Sequence, residues 1–270
     1  MPELPEVETT RRGISPHVIG KKVSWVDIRQ DQLRWPVSPG LAQHLAGLII
    51  RDVDRRAKYL LFITDHGRLM LHLGMSGSLR VMSRTVEPGV HDHVDIGFDD
   101  GSVLRYRDPR RFGSMFWLQD GDSHALLDNL GPEPLSDEFS GHYLYQQSRQ
   151  RRTAVKMFLM NSRIVVGVGN IYANEALFQA GIRPDRSAMR ISEQRYQRLA
   201  DAVKKVLTEA ISAGGTTLRD FVREDGSPGY FHMQLTVYGR RNEACVQCRH
   251  PLKEIRLSGR STIFCQHCQR

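Results

Sequence analysis

The chain has 270 residues, of which 40% are hydrophobic and 8% aromatic, so a packed core is expected and general disorder is not. No run approaches the 18 or so apolar residues of a membrane-spanning helix, and the charged N-terminus is unlike a signal peptide. We therefore expect a cytoplasmic protein with no membrane partner. The formal net charge of +8 favours a polyanionic partner, most simply nucleic acid, although ribosomal and membrane-surface proteins share this feature.

Residues 1 to about 130 are predicted to form mainly strands, preceded by a helix at about 5–14. Four segments carry β-branched or aromatic residues with partial period-two alternation: KKVSWVDI, LRVM, VDIGF and VLRY. The pair Asp100-Gly101 lies between the last two and is typical of a hairpin turn. The polar, proline-containing segment LGPEPLSDEF (130–139) marks the expected domain boundary.

Beyond this boundary the pattern becomes helical. Apolar residues recur at helical spacing from Tyr196 to Ile211, where Ser192 can cap the helix and Gly214-Gly215 can end it. Two shorter helices are expected near 153–161 and 170–180. The sequence therefore predicts strands followed by helices, which is an α+β arrangement with more than one domain.

All four cysteines lie in the last 26 residues, in the pattern C-x2-C-x16-C-x2-C. Two close pairs at this separation are typical of a tetrahedral zinc site. The alternatives are two disulfides or unrelated thiols, and disulfides are rare in a chain without a secretion signal. We interpret Cys245, Cys248, Cys265 and Cys268 as ligands of one structural Zn²⁺, because four thiolates leave no open position for catalysis.

The segment VVGVGNIYANEALF combines a glycine-rich turn with the start of a helix. Gly167 and Gly169 permit close backbone approach, and Asn170 can cap the helix, so free N–H groups can face an anion. With a helix on each side, the segment resembles a helix–two turns–helix element that binds a DNA phosphate. The glycine pattern alone does not exclude an ordinary helix cap.

Several other side chains have two interpretations. In RYRDPRRFG, Arg110 and Phe112 suit a loop that distorts a duplex, or else form a solvated basic turn with a core aromatic. Met75 is either a flexible plug or core filling. His91 is either a polar or phosphate contact or simply exposed, and Lys58 is either a phosphate ligand or a surface lysine.

The first residues, MPELPEVETT, begin with an unexplained proline. Pro5 and Glu6 fit the first turn of a helix, where a fixed φ and a negative charge are favourable. A helix start gives no role to Pro2.

The sequence resembles the bacterial formamidopyrimidine-DNA glycosylases from end to end. The motifs that carry the resemblance occur in the same order and are PELPEVE, RRAKYLLF, HLGMSGSLR, DPRRFG, VGVGNIYANEALF, GGTTLRDF and the terminal cysteine pattern. The related endonuclease VIII type has the proline start and the helix element, but it has no close match to PELPEVE or HLGMSGSLR. The resemblance therefore implies an enzyme that removes oxidised purines, such as 8-oxoguanine, from duplex DNA.

The resemblance also implies a fold. It comprises an N-terminal β-sandwich with flanking helices (1–130), a helical DNA-binding domain with the helix–two turns–helix element (131–235), and a β-hairpin zinc finger (236–270). A monomer of this kind would hold lesion-containing or abasic double-stranded DNA across the cleft between its domains.

Residue roles follow from the matching motifs. The resemblance makes Pro2 the nucleophile, Glu3 its acid/base partner and Lys58 a proton donor or phosphate contact. Glu6 lines the pocket for the damaged base, and the loop 216–231 closes over it. Seven residues are expected to contact DNA. Met75, Arg110 and Phe112 would fill the space left in the duplex by the extruded nucleotide, and Asn170 and Arg260 would bind phosphates near the lesion. The other two are His91 and Lys156.

The chemistry of an amino terminus agrees with this assignment. After removal of Met1, Pro2 has a free secondary amine, and α-amino groups have a pKa near 7.7–8.0 against about 10.4 for lysine. Roughly a third of such amines are neutral at pH 7.4. Two other functions remain open: a non-catalytic lesion-binding protein, which a retained Met1 would favour, and an endonuclease VIII-type glycosylase for oxidised pyrimidines.

Overall fold

Two antiparallel four-stranded sheets dominate the first half of the chain in this computed structural model, which describes residues 2–214 and 235–270. The first sheet contains, in spatial order, β1 (Val23–Ile28), β6 (Asp92–Phe98), β7 (Ser102–Arg107) and β5 (Ser78–Ser83). The second contains β2 (Asp52–Arg56), β3 (Tyr59–Thr64), β4 (Gly67–His72) and β8 (Ser114–Gln119).

A single apolar core lies between the sheets and helix α1 (Leu4–Val18). Phe62 and Leu71 from one sheet, Ile96 and Leu104 from the other, and Ile14 from α1 all belong to this core and are at most 4% exposed. Burial of apolar surface on facing sides is what holds two sheets together as a sandwich. The predicted β-sandwich is therefore confirmed.

The predicted hairpin is also confirmed. β6 and β7 pair antiparallel with Ile96 opposite Leu104, and Gly101 in the connecting turn has φ +84°. A residue with such a φ is strained unless it is glycine, which explains the Asp-Gly pair.

The four strands of the second sheet were not predicted. In β3, with the sequence YLLFIT, three successive residues are buried, because Leu60 and Phe62 face the main core while Leu61 belongs to a second cluster on the opposite face. That second cluster includes Leu127 of α3 (Ala125–Asp128). A strand covered on both faces has no period-two alternation, so periodicity does not distinguish it from a helix.

The second half of the chain contains most of the helices and one short hairpin. The elements are α4 (Gly141–Ser148), α5 (Val155–Leu159), α6 (Asn170–Gln179), a 3₁₀ turn (Ala188–Arg190), α7 (Glu193–Gly214), β9 (Lys253–Leu257) and β10 (Arg260–Phe264). The short helix α2 (Leu41–Leu45) lies in the first half. Helices α5 and α6 are those expected near 153–161 and 170–180, and α7 begins directly after Ser192.

Residues 2–128 form one compact unit, and 129–212 with 235–270 form another. None of the helices in the described ranges is both long and apolar enough to cross a lipid bilayer.

Candidate active site and nucleic-acid interface

The amino terminus is held by the first turn of α1. Glu3 precedes the helix and is 1% exposed, and its backbone N–H donates to Glu6 Oε2 at 2.8 Å. The Glu3 carboxylate in turn accepts from the backbone N–H of Glu6, so the two residues form a reciprocal capping box. Pro2, half-buried, is the next residue outward, and its position is therefore defined by the cap.

Helix α1 is fixed to the second sheet by a buried carboxylate, Glu8, which is 7% exposed. It accepts hydrogen bonds from Arg11 (2.9 and 3.1 Å), Arg12 (2.8 Å) and Arg55 (3.1 Å). Burial raises the pKa of the Glu8 carboxyl, but the hydrogen bonds and charges of the arginines outweigh burial and lower this pKa to about 2. The carboxylate therefore stays ionised and ties α1 to β2.

The same connection reaches Lys58. Arg55 also donates to the backbone oxygen of Ala57 at 2.9 Å, and Ala57 has φ +56° in the turn between β2 and β3. Lys58 is the next residue of this turn and is half-buried. The Glu8–Arg55–Ala57 contacts therefore fix both the helix that begins beside Pro2 and the turn that carries Lys58.

Lys58 also influences a histidine at the end of β4. Burial, together with the positive charges of Lys58 and Arg34, lowers the pKa of His72 to about 4. The imidazole is therefore neutral near pH 7, and its Nδ1 accepts the backbone N–H of Gly74 at 3.0 Å. This contact shapes the turn that presents Met75.

Met75, Arg110 and Phe112 lie on two loops that touch each other. Gly74 has φ +67°, and a Cβ there would lie 2.4 Å from the backbone carbon of Phe112, so only glycine permits this approach. Met75 and Phe112 are each 38% exposed, and the Arg110 guanidinium lies 4.8 Å from the centre of the Phe112 ring. The structure brings these three side chains to one surface, in agreement with an exposed rather than a core role.

Asp108 holds the two loops in place, a role that we did not predict. Its fully buried carboxylate accepts from Ser76 Oγ (2.6 Å), Tyr106 OH (2.9 Å), and the backbone N–H groups of Gly113 (2.9 Å) and Arg110 (3.3 Å). Burial and the negative charge of Asp108 raise the pKa of Tyr106, so its hydroxyl remains a donor. In the sequence, Asp108 before a proline looks like an ordinary turn residue.

The backbone of Asp108 forms hydrogen bonds with two histidines, with the side chain of His93 and with the backbone of His91. His93 is 5% exposed, and its Nε2 lies 2.8 Å from the Asp108 carbonyl oxygen, while the His91 carbonyl accepts from the Asp108 N–H at 3.0 Å. His91 precedes β6 and is half-buried, with its ring edge-on to His93. His93 therefore supports the loop, and a DNA contact by His91 remains a prediction.

In the second unit, helix α6 begins after the predicted glycine-rich turn. Gly169 is the N-cap and Asn170 is the first helical residue, so the prediction that Asn170 caps the helix was wrong. Its side-chain N–H donates to the Ser261 carbonyl at 3.2 Å. Phosphate binding by Asn170 remains a prediction.

Lys156 is fully buried and binds strand β10, which contains Ser261. Its ammonium donates to the Ser261 carbonyl at 2.8 Å and to Thr262 Oγ1 at 2.7 Å. Because the side chain has no solvent-facing surface, this position supports the hairpin, and direct DNA contact by Lys156 is only a prediction. Arg260 is exposed, beside a two-residue turn in which Ser258 and Gly259 both have positive φ.

The four cysteines form a metal centre. Their Sγ atoms lie within 4.8 Å of one another, with the pair Cys248–Cys265 at 3.4 Å and the pair Cys245–Cys268 at 3.8 Å. A tetrahedral zinc with Zn–S bonds of about 2.3 Å requires sulfurs about 3.8 Å apart. The donor set and its spacing therefore fit one structural Zn²⁺.

A second unpredicted residue connects this module to α6. Glu175 is 1% exposed and accepts from the backbone N–H groups of Thr236 (2.9 Å), Val237 (3.0 Å) and Tyr238 (2.8 Å), and from the Thr236 hydroxyl. A buried carboxylate with this many donors is costly to disturb. The predicted base-covering loop, 216–231, lies outside the described residues.

Known proteins match the chain over its whole length. Three family models match: the formamidopyrimidine-DNA glycosylase N-terminal domain (1–115), its H2TH domain (130–222), and a zinc finger found in FPG and IleRS (242–270). Proteins called formamidopyrimidine-DNA glycosylase from Stenotrophomonas maltophilia (strain K279a) and Marinobacter nauticus are 56% and 54% identical to the chain, with all of both chains covered in each comparison.

Solved structures agree with this match. The Lactococcus lactis glycosylase in complex with DNA containing Fapy-dG has a TM-score of 0.89 and 31% identity, covering 99% of this chain and 100% of that one. The same enzyme bound to DNA with an abasic site has a TM-score of 0.88 and 30% identity, covering 99% of each chain. The chain belongs to the formamidopyrimidine-DNA glycosylase family.

Proposed function

We propose that this chain removes oxidised purines, including 8-oxoguanine and formamidopyrimidines, from duplex DNA and then cleaves the strand at the resulting abasic site. The observation that carries this proposal is a proline directly after Met1, held by the buried capping box of Glu3 and Glu6 at the start of α1. The enzyme would act as a monomer in the bacterial cytoplasm. The three-part division at 1–130, 131–235 and 236–270 remains our proposal for its domains.

The reaction begins with extrusion of the damaged nucleotide, which costs a few kcal/mol. Met75 and Phe112 would occupy the vacancy, and Arg110 would face the orphaned base. Arg260 and Asn170 would hold phosphates near the lesion. Glu6, half-buried beside the terminus, would line the pocket that receives the base.

The Pro2 nitrogen then attacks C1′ of the sugar, the damaged base leaves, and an iminium ion forms. This cation acidifies the C2′ protons, so β-elimination cuts the strand on the 3′ side and δ-elimination on the 5′ side. Glu3 would protonate the sugar ring oxygen or transfer protons, with Lys58 as a further proton donor or phosphate contact.

A panel of duplexes tests the substrate class. Each duplex carries one lesion, and single-turnover excision is measured for 8-oxoguanine, a formamidopyrimidine and an oxidised pyrimidine. We expect the two purine lesions to be removed much faster. Preference for the pyrimidine would instead indicate an endonuclease VIII-type enzyme, and tight binding without excision would indicate a lesion-binding protein.

Glu3→Gln is expected to lose base excision by at least about 100-fold, the usual contribution of a general acid. It should keep cleavage at a pre-formed abasic site, because the abasic aldehyde accepts the amine without departure of a base. Glutamine can still accept the N–H of Glu6, so the capping box is preserved. Equal loss of both activities would show that Glu3 acts in another way.

Arg110→Ala is expected to remove the preference for cytosine over adenine opposite 8-oxoguanine. An orphaned cytosine presents two acceptors, O2 and N3, which match paired guanidinium donors, whereas adenine presents one acceptor beside a donor. A bidentate match contributes about 1–3 kcal/mol, or roughly ten- to a hundredfold in excision.

Single-turnover excision opposite each base measures this ratio, and Phe112→Ala serves as the comparison. Phe112→Ala should slow both substrates alike, although it removes the ring on which the Arg110 guanidinium lies. A cytosine preference that survives in Arg110→Ala would make Arg111 the next candidate.

A further inference from the structure

A cluster of arginines in the second unit has no role in the mechanism above. Arg183, Arg186 and Arg190 line an open surface cavity of about 430 Å³, together with Asp185 and Ser187. We call Arg183, Arg186 and Arg190 the arginine surface. It follows α6 in the chain and precedes α7.

The positive charge of this surface is only partly balanced. Asp185 is the one carboxylate among the described residues that line the cavity, and it forms a two-point ion pair with Arg183 at 2.8 and 3.1 Å. Arg186 and Arg190 are exposed, and within 2–214 and 235–270 their guanidinium groups have no hydrogen-bonding or ion-pair partner. Two guanidinium groups at one cavity are therefore available to an anion.

Further positive charge lies next to the cavity. Burial and the positive charges of Arg186 and Arg198 lower the pKa of Arg195 on α7. Arg195 itself donates to the backbone oxygens of Gly181 and Arg270. A bound anion would relieve this crowding of like charges.

Arg183 of the arginine surface and the predicted phosphate contacts of the same unit lie at opposite ends of α6 and of β10. Asn170 is the first residue of α6, and Arg183 follows the other end of this 10-residue helix, which is about 15 Å long. Strand β10 separates Arg183 from Arg260 in the same way. Arg260 is the first residue of this strand, and the Arg183 guanidinium lies over the ring of its last residue, Phe264. Five strand residues span about 13 Å.

We propose that the arginine surface binds phosphodiester groups of a second DNA segment while Asn170 and Arg260 hold the lesion-bearing duplex. Guanidinium groups match phosphate oxygens in pairs, and such contacts require no base sequence. A second binding surface allows direct transfer between DNA segments without complete dissociation, which suits an enzyme that searches undamaged DNA. The proposal rests on the proposed function.

The test measures direct transfer with the full-length, zinc-loaded protein. A labelled duplex contains a tetrahydrofuran abasic analogue, which the enzyme cannot cleave, and unlabelled undamaged duplex is added at increasing concentration. We expect the dissociation rate of the wild type to rise linearly with competitor. In Arg186→Ala/Arg190→Ala this slope should fall at least fivefold, while the affinity for the labelled duplex stays within twofold.

Lys205→Glu is the matched control, because it lowers the net charge by the same amount. Lys205 lies on α7 with its side chain 65% exposed and a loose 3.9 Å pair to Glu209. In Lys205→Glu, the slope of the dissociation rate against competitor concentration should equal that of the wild type. Equal loss of slope in the control and the double variant would overturn the proposal in favour of general electrostatics, and an unchanged slope in the double variant would overturn it directly.

Two further measurements separate the remaining outcomes. If inorganic phosphate binds the wild type and not the double variant, while the competitor slope is unchanged, the surface is a small-anion site and the proposal is wrong. Single-turnover excision of 8-oxoguanine is measured on the same samples. Wild type that excises but shows no competitor dependence contradicts the second surface alone, whereas wild type that shows the dependence but does not excise contradicts the proposed function alone.

Discussion

Borohydride is expected to link the chain covalently to a duplex containing 8-oxoguanine, through the nitrogen of Pro2. The iminium formed between Pro2 and C1′ is reducible, and reduction turns it into a stable amine. A terminal amine reacts without burial because a large fraction is neutral near pH 7.4, which is not so for an ordinary lysine. Peptide mapping of the trapped complex locates the attached residue.

Blocking the terminus should abolish trapping and strand cleavage. Protein that retains Met1, or whose Pro2 is acetylated, is expected to lose on the order of a thousandfold or more in excision, since loss of a covalent nucleophile costs up to about a millionfold in other enzymes. Lys58→Ala should still be trapped at Pro2, because Lys58 would donate a proton or contact a phosphate. An adduct mapped to Lys58 or another lysine would show the assignment of Pro2 to be wrong.

Cys265→Ser is expected to lose zinc and duplex affinity together. Structural zinc in small modules contributes about 10–16 kcal/mol of apparent binding free energy, so its loss unfolds the parts that depend on it. Here those parts include the β9–β10 hairpin, with exposed Arg260 at its tip and Ser261 bound by Lys156 and Asn170. We expect the dissociation constant for duplex DNA to rise at least about 100-fold, measured beside metal content.

Arg260→Ala distinguishes contact from folding in this experiment. The substituted residue is exposed and is not a metal ligand, so this variant should keep its zinc while it loses part of its affinity. Full affinity for duplex DNA in metal-free protein would contradict the proposed role of the module.

The part of the sequence with clear periodicity predicted its structure well. The hairpin of β6 and β7 was predicted because Asp100-Gly101 marks its turn and because the core residues of β6, Val94, Ile96 and Phe98, alternate with polar residues or glycine. Helix α7 was predicted because its apolar residues recur at helical spacing. Strands β3 and β4 were missed because both of their faces are covered, by the main core on one side and by the Leu61–Met70–Leu118 cluster on the other. Which faces of a strand are covered depends on segments distant in the chain, and local pattern does not contain that information.

In the site, too, local motifs predicted some residues, whereas contacts between distant segments were not predicted. Motifs indicated Met75, Arg110 and Phe112, but not what holds them: Ser76 and Asp108, whose side chains meet at 2.6 Å, are 32 positions apart. Lys156 was expected to contact DNA, and its burial against Ser261, 105 positions away, became evident only in the folded chain. Contacts at such separations depend on strand pairing and helix packing, which a list of motifs does not specify.

The sequence by itself indicated the metal ligands, and its resemblance to the glycosylase family predicted that Pro2 is the nucleophile. Two close cysteine pairs can hold one zinc through local geometry, and a terminal amine is defined by the covalent chain, so neither depends on long-range folding. Only the tertiary structure decided that Glu8 and Arg55 join α1 to the turn of Lys58, and that Asp108 organises two loops. It also decided that Arg186 and Arg190, whose guanidinium groups have no partner among the residues the structure describes, share one cavity. The physical reason is that buried hydrogen bonds and uncompensated charges arise from which side chains meet in space, and packing alone settles that.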